Sequence, residues 1–292
     1  ERLAEAGRAR VVVAWGARAA AVAIHARDDA DRWLVLDAVP PLRSVPFDAE
    51  VVCLGDAVAD RLMAAGWPPM RVRVVRVPCP CMAPHDPEGL ARAALRATWQ
   101  VPQHAFVAGL LPAAADVGDA LGAFHAVGRA RMAGIDAHLL LASNAGGAGA
   151  MQVFARSIGL RHAVHFIDAV RDPATVAAGV DAWISMPGAG EDGTALDAAV
   201  AAGLHAPLVA SADGLVAHGV EHGVDGIVAQ GRNRIGAALL ELARDPGRGR
   251  ALAAAARVRY ASQACRQAFV GVLRDIEARA RVRCSKDAAA ST

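Results

Sequence analysis

At 292 residues and 54% hydrophobic side chains, the chain is long enough to bury a sizeable core and to divide into two domains of unequal size. Its 31 basic and 29 acidic side chains nearly cancel, and the net charge of +2 gives no electrostatic reason to expect nucleic acid as a partner. The apolar run Val11–Ala26 carries Arg18 and His25 and falls short of the ~20 residues that cross a bilayer, and the charged stretch Glu1–Arg10 lacks the core of a secretory signal, so no transmembrane segment and a cytoplasmic location are expected.

Short β-branched runs alternate with alanine-rich stretches of helical length, the pattern of a parallel sheet covered by helices, so the predicted fold class is α/β. The first strands are predicted at Val11–Trp15, Trp33–Val39, Val51–Leu54 and Val72–Val77. Four prolines in the eleven residues Val77–Pro87 can continue neither a helix nor a central strand. They mark the boundary between a first domain, residues 1–80, and a second, residues 81–270. Six evenly spaced strands follow in the second domain: Phe106–Leu111, His138–Ala142, Val164–Ile167, Ala182–Met186, Pro207–Ser211 and Gly226–Ala229.

Three helices are predicted to open on Asp-Pro, at Asp86-Pro87, Asp172-Pro173 and Asp245-Pro246. There the carboxylate caps free amides and proline sits where no donor is needed. Beyond Asn233 the pattern is helical throughout. Residues 271–292 finish the last helix and a polar tail, Ser285–Thr292, expected to be disordered.

The sharpest local motif is Gly188-Ala189-Gly190-Glu191-Asp192-Gly193, a G-x-G-x-x-G between a strand and the helix predicted over Thr194–Ala202. With Asp213 after the next strand it satisfies the outline of a dinucleotide fingerprint. Against an NAD(P) site, Glu191 and Asp192 would face the pyrophosphate, and the motif follows the fourth strand of its set instead of the first. His218-Gly219-Val220-Glu221-His222 matches the H-x-x-E-H zinc pattern, which needs a regular helix; Gly219 and Gly223 weaken one, and a short solvated helix with two surface histidines is the preferred reading. Five scattered cysteines, Cys53, Cys79, Cys81, Cys265 and Cys284, make no disulfide framework, and Cys79-Pro80-Cys81 is too tight for a zinc knuckle. The single histidines His25, His125 and His138, and the pair His162 and His165, are read as surface or packing residues, and the apolar stripes Leu121–Met132 and Ile235–Leu242 as core faces.

From Ala182 to Ala229 the order of features resembles the signature region of group 1 (retaining, GT-B fold) glycosyltransferases. Pro187, Glu191 or Asp192, Gly193, Gly203, Pro207, Val209, Ala210, Ser211, Gly214, Val220, Gly223 and Gly226 fall in or near register with the family's glycine-rich loop, helix and closing glycines. Upstream, FVAGLL, DALGAFHAVGRARMAGIDAHLLLASNAGG and LRHAVHFIDAVRD resemble the family's successive strands and helices of the same domain. VVCLGDAVADRLMAAGWPPMRVRVVRVP and VVVAWGARAAAVAIHA resemble parts of its N-terminal domain.

The resemblance implies two Rossmann-like domains with parallel sheets, the N-terminal, acceptor-side one partial, since the family's opening glycine-rich loop and several strands have no counterpart. It implies transfer of a sugar from a nucleotide-diphosphate sugar, with retention and without a metal or other cofactor. The acceptor is unspecified, a glycan, lipid or small molecule, and peripheral membrane contact stays open. The implied catalytic residues are Glu191 and Asp192 at the sugar, with Asp197 standing in for the family's second glutamate. The implied donor-binding residues are Gly188, Gly190, Gly193 and Thr194 at the diphosphate, and Asn144, Ile167 and Arg171 near the base or ribose. The family's basic pair falls on Pro112 and Val117, neither of which carries charge, and its Gly-Asp-Gly becomes Ser143-Asn144-Ala145. The alternatives are therefore a catalytically inactive GT-B-like binding module and, further off, an NAD(P)-binding Rossmann protein.

Overall fold

In the computed structural model, which describes residues 11–15, 31–36, 49–76, 89–111, 117–142, 147–167, 173–186, 196–213, 219–261 and 263–290, every predicted strand region contains a strand. The chain divides into two compact units, one of residues 1–78 with 262–292 and the other of residues 79–261.

The first unit carries a four-stranded parallel sheet in the order β1 (Val11–Trp15), β2 (Asp31–Leu36), β3 (Glu50–Cys53) and β4 (Val72–Val74). Trp33, Leu34, Val35 and Leu36 are all buried, as are Val51, Val52 and Cys53, so both central strands read as continuous apolar runs. Burial pushes the Cys53 thiol up to about 12, which suits an inert packing role. Helix α1 (Asp56–Ala64) returns over the sheet through Val58 and Leu62. The long C-terminal helix, α9 (Gln263–Ala290), belongs to this unit. It meets the sheet at Trp33, whose ring lies 5.1 Å from the Arg279 guanidinium and 5.7 Å from that of Arg73 on β4; Arg73 in turn pairs with Asp275 at 2.6 Å.

The second unit is a six-stranded, all-parallel sheet flanked by helices on both faces. Its strands are β5 (Phe106–Leu110), β6 (Ala137–Ala142), β7 (Val164–Ile167), β8 (Ala182–Ser185), β9 (Leu208–Ser211) and β10 (Ile227–Ala229), in the order β10-β9-β8-β5-β6-β7. Successive residues point to opposite faces and build two cores. Ala108, Leu139, Leu141 and Ile184 pack beneath α3 (Val117–Met132), α4 (Ala148–Ser157) and α7 (Arg232–Arg244). Val107, Leu140, Trp183 and Leu208 pack on the other face, against α5 (Pro173–Val176), α6 (Leu196–Gly203), α8 (Pro246–Tyr260) and the end of α2 (Leu90–Thr98). At about 1.5–3 kcal/mol per fully buried large apolar side chain, these two layers are the main source of the unit's stability.

The Asp-Pro openings fare unequally. Asp245 caps α8, its carboxylate accepting from Arg248 N–H at 3.0 Å. Helix α5 begins at Pro173, while Asp172 lies outside the described residues. Asp86 and Pro87 also lie outside them, and α2 is described only from Leu90, with Gly89 ahead of it and no side-chain cap. At the C-terminus, α9 (Gln263–Ala290) is helical through residues 285–290, where disorder was expected. The closing Ala288-Ala289-Ala290 has the highest helix propensity available, which offsets the polar residues before it.

Candidate functional site

In an open parallel sheet, ligands bind outside the carboxyl ends of the strands, where the chain's connections diverge to opposite sides. In the second unit that point lies between β5 and β8: β5 leads to β6 on one side, while β8 returns to pair with β5 on the other. The strands end there at Leu110, Ala142, Ile167, Ser185, Ser211 and Ala229. Ser185 and Ser211 place two buried hydroxyls near the ends of adjacent strands, where Ser185 pairs in register with Ala210. Ser211 Oγ lies 3.4 Å from Asp213 Oδ2, and Asp213 is exposed beyond the strand.

Of the predicted site residues, Ile167 has a described side chain: it closes β7, opposite Ala142, half-buried against the core. Asp197 lies in the first turn of α6, its side chain outside the described residues. Asn144, Arg171, Gly188, Gly190, Glu191, Asp192, Gly193 and Thr194 lie outside the described residues altogether. In the sequence they fall in the connections that leave the carboxyl ends of β6, β7 and β8. The G-x-G-x-x-G thus follows β8, the fourth strand of this sheet in chain order, and not β5 as a dinucleotide fingerprint requires.

Of the H-x-x-E-H stretch, read as a short solvated helix, Gly219 is helical and His222 is exposed, but the helix does not continue to His222. His218 lies outside the described residues, and His222 forms a β-bridge with Gly226 while its Nδ1 accepts from Val228 N–H at 3.1 Å. Gly223, at φ +79°, makes the tight turn, which a helix cannot. Among the described residues no three His, Cys, Asp or Glu side chains come together as metal ligands would.

Asp225 fastens the turn. Buried at 4% exposure, it accepts from Glu221 N–H at 2.6 Å and pairs with Arg259 of α8. Burial alone would lower the Arg259 pKa, but the hydrogen bond and charge of Asp225 carry it above the usual guanidinium value. The neighbouring Tyr260 hydroxyl donates to Gly219 C=O at 2.7 Å. Two successive side chains of α8 therefore hold the chain just after the β9 connection. Sequence reading missed this clamp; the hint was an acid in a glycine-rich stretch otherwise poor in reasons for one.

The described residues also line two further cavities. One, of about 490 Å³, sits at the amino ends of β5, β8 and β9 among Arg92, His104, Asp181, His205 and Arg250. The other, of about 570 Å³, runs along β7 and shares only Ile167 with the predicted site.

No protein-family model matches the sequence, and no curated protein sequence matches it significantly. Solved structures do match. HepE from Anabaena, in complex with UDP and glucose, superposes with a TM-score of 0.73 at 15% identity, over 93% of this chain and 79% of its own. Sucrose-phosphate synthase from Thermosynechococcus elongatus gives 0.68 at 14% identity, over 92% and 74%. A glycosyltransferase from Rickettsia africae gives 0.62 at 12% identity, over 88% and 73%. At these identities the likeness is one of fold: the chain has the GT-B-like α/β architecture of these glycosyltransferases, as the order of its motifs implied.

Proposed function

We propose that the chain binds a nucleotide-diphosphate sugar across the carboxyl ends of its second sheet and transfers the sugar to an acceptor. The observation that carries this reading is the strand order β10-β9-β8-β5-β6-β7, because it sends the connections rich in candidate residues to one edge. From β8 to β7 is three strand spacings, roughly 14 Å, a span suited to an extended ligand. In this reading the base or ribose lies toward Asn144, Ile167 and Arg171, and the sugar toward Glu191 and Asp192.

Loss of the nucleotide leaves negative charge on the diphosphate, which must be neutralised as the glycosidic bond breaks. Amides of Gly193 and Thr194 ahead of α6, with the helix dipole, would supply part of this, Gly188 and Gly190 letting the backbone come close. Arg171 would supply a full positive charge. Asp197 would hold sugar hydroxyls beside Glu191 and Asp192. No metal is needed in this scheme, and retention of anomeric configuration goes with it as part of the proposal. UDP-glucose is the first donor to try, since HepE is the neighbour that holds UDP and glucose.

A second reading, a donor-binding module without turnover, is favoured by Val117. The family's basic residue falls on this position, the first of α3, and valine carries no charge. Thermal-shift titration with UDP-, GDP- and ADP-sugars, followed by a sugar-nucleotide hydrolysis assay, separates the two. Binding with turnover supports the transferase and binding alone supports the module. A shift with NAD(P) and none with sugar nucleotides, or full binding retained in a Glu191→Gln/Asp192→Asn variant, would overturn the assignment.

A further inference from the structure

Strand β7 ends the six-stranded sheet and has no strand beyond it among the described residues. Parallel ladders use alternate residues of each strand. Leu139 N–H donates to Ala163 C=O at 2.7 Å, so residues 163, 165 and 167 turn their backbone groups toward β6, and Val164 and Phe166 turn theirs away. The Val164 N–H is taken by Leu160 C=O at 3.1 Å. The alternation leaves the Val164 carbonyl and both backbone groups of Phe166 on the open side.

That side is a slot. The cavity of about 570 Å³ has all four residues of β7 as its floor. One wall is the end of α2 with Thr98, Trp99 and Gln100, and the other is α4 with Gln152, Ala155 and Arg156. The walls come from the helical layers on opposite faces of the sheet, so the gap between them continues the sheet plane. Natural edge strands are commonly blunted by lysine, proline, a bulge or a covering segment. Val164-His165-Phe166-Ile167 contains neither lysine nor proline, and its register with β6 runs without a bulge.

The charge lining the slot is one-sided. Arg156 and Arg161 are both exposed, neither has an ion-pair partner among the described residues, and no carboxylate is among the lining residues. His165 adds no charge near neutrality, since burial and the neighbouring His138 lower its pKa to about 4.

We propose that this slot binds an extended acidic peptide segment, which adds a strand to β7 through Val164 and Phe166 and places carboxylates against Arg156 and Arg161. Backbone pairing supplies the affinity and the two arginines select the sign of charge. A compact polyanion satisfies the arginines but leaves the row of backbone groups unused, and a lysine-rich segment meets like charge.

The test uses the full chain and a short labelled peptide of alternating glutamate and valine, followed by fluorescence anisotropy. Expected are salt-sensitive binding, slowed hydrogen exchange at the Phe166 amide, and affinity reduced roughly tenfold or more in Arg156→Glu/Arg161→Glu. The same peptide N-methylated at alternate residues keeps its charge but cannot pair as a strand, and should not bind. Equal binding by the N-methylated peptide or by a lysine–valine peptide would overturn the proposal. So would competition by tripolyphosphate that fully displaces the peptide while itself protecting Phe166, or no binding at all.

Discussion

Arg96, with no exposed surface, reaches across 85 residues of sequence to donate to Asp181 at 2.6 Å. The same guanidinium donates to the carbonyls of Gln103, Ala105 and Gly179, while Asp181 accepts from Val107 N–H at 2.7 Å and from Arg92 at 2.6 Å. This ties the entries of β5 and β8, the two strands that flank the switch point. Burial pulls the Arg96 pKa below its usual value and Asp181 pulls it back. Removing one member leaves buried polar groups without partners, so Arg96→Ala should cost about 3–5 kcal/mol in urea unfolding. A loss under about 1 kcal/mol would mean the network contributes little beyond packing.

Gly109 and Trp183 face each other in register on β5 and β8. A Cβ at residue 109 would sit 2.5 Å from Trp183 Cζ3, and the ring, wholly buried, has nowhere to move. Gly109→Ala should therefore destabilise the unit by about 1–3 kcal/mol. In a Trp183→Leu background the same alanine meets open space. The double mutant should thus be more stable than the sum of the single losses, read from a double-mutant cycle in chemical denaturation.

His138 and His165 stack on adjacent strands with Nδ1 and Nε2 2.9 Å apart, and His138 Nε2 lies 3.2 Å from Asp136 Oδ1. The short contact requires one ring nitrogen to donate and the other to accept, so both rings are not protonated at these atoms together. With its pKa lowered to about 4 from 6.5, His165 stays neutral when folded and gains its proton more readily when unfolded. The resulting stability is complete above pH 6.5 and is lost as pH falls from there to about 4. We expect a loss on the order of 2 kcal/mol across that window, reduced in His165→Leu. An unchanged pH profile in the variant would remove the pair as the cause.

Asp225→Ala removes the acceptor for Glu221 N–H and the buried carboxylate that pairs with Arg259. A loss of about 2–4 kcal/mol should follow, with faster amide exchange concentrated in residues 219–226. If that exchange is unchanged while overall stability falls, the pair supports α8 and not the turn. Asp225→Asn, which keeps the Glu221 bond, should lose less.

The strands were legible because β-branched runs such as Val11–Trp15 and Val164–Ile167 stand out against alanine-rich helices, and both match their strands residue for residue. Of the candidate site, the sequence offers an order of motifs: Asn144, Arg171 and Gly188–Thr194 fall in the connections that follow β6, β7 and β8, and their roles belong to the proposal. The pairings that brace the unit were not. Arg96 with Asp181, Asp225 with Arg259 and His138 with His165 join residues 85, 34 and 27 apart, and nothing in the local pattern around either partner marks it as half of a pair. The edge of β7 was hidden for a related reason, since a run of four residues does not reveal which strand ends the sheet.

Helix α9 supplies Asp275 and Arg279 to a unit whose strands lie within the first 74 residues. On the ribosome, Trp33 and its sheet are synthesised long before these partners emerge, while residues 79–261 are complete sooner relative to their own contacts. The second unit can therefore close on itself during translation, whereas Arg73 and Trp33 of the first gain Asp275 and Arg279 only once the last helix has emerged.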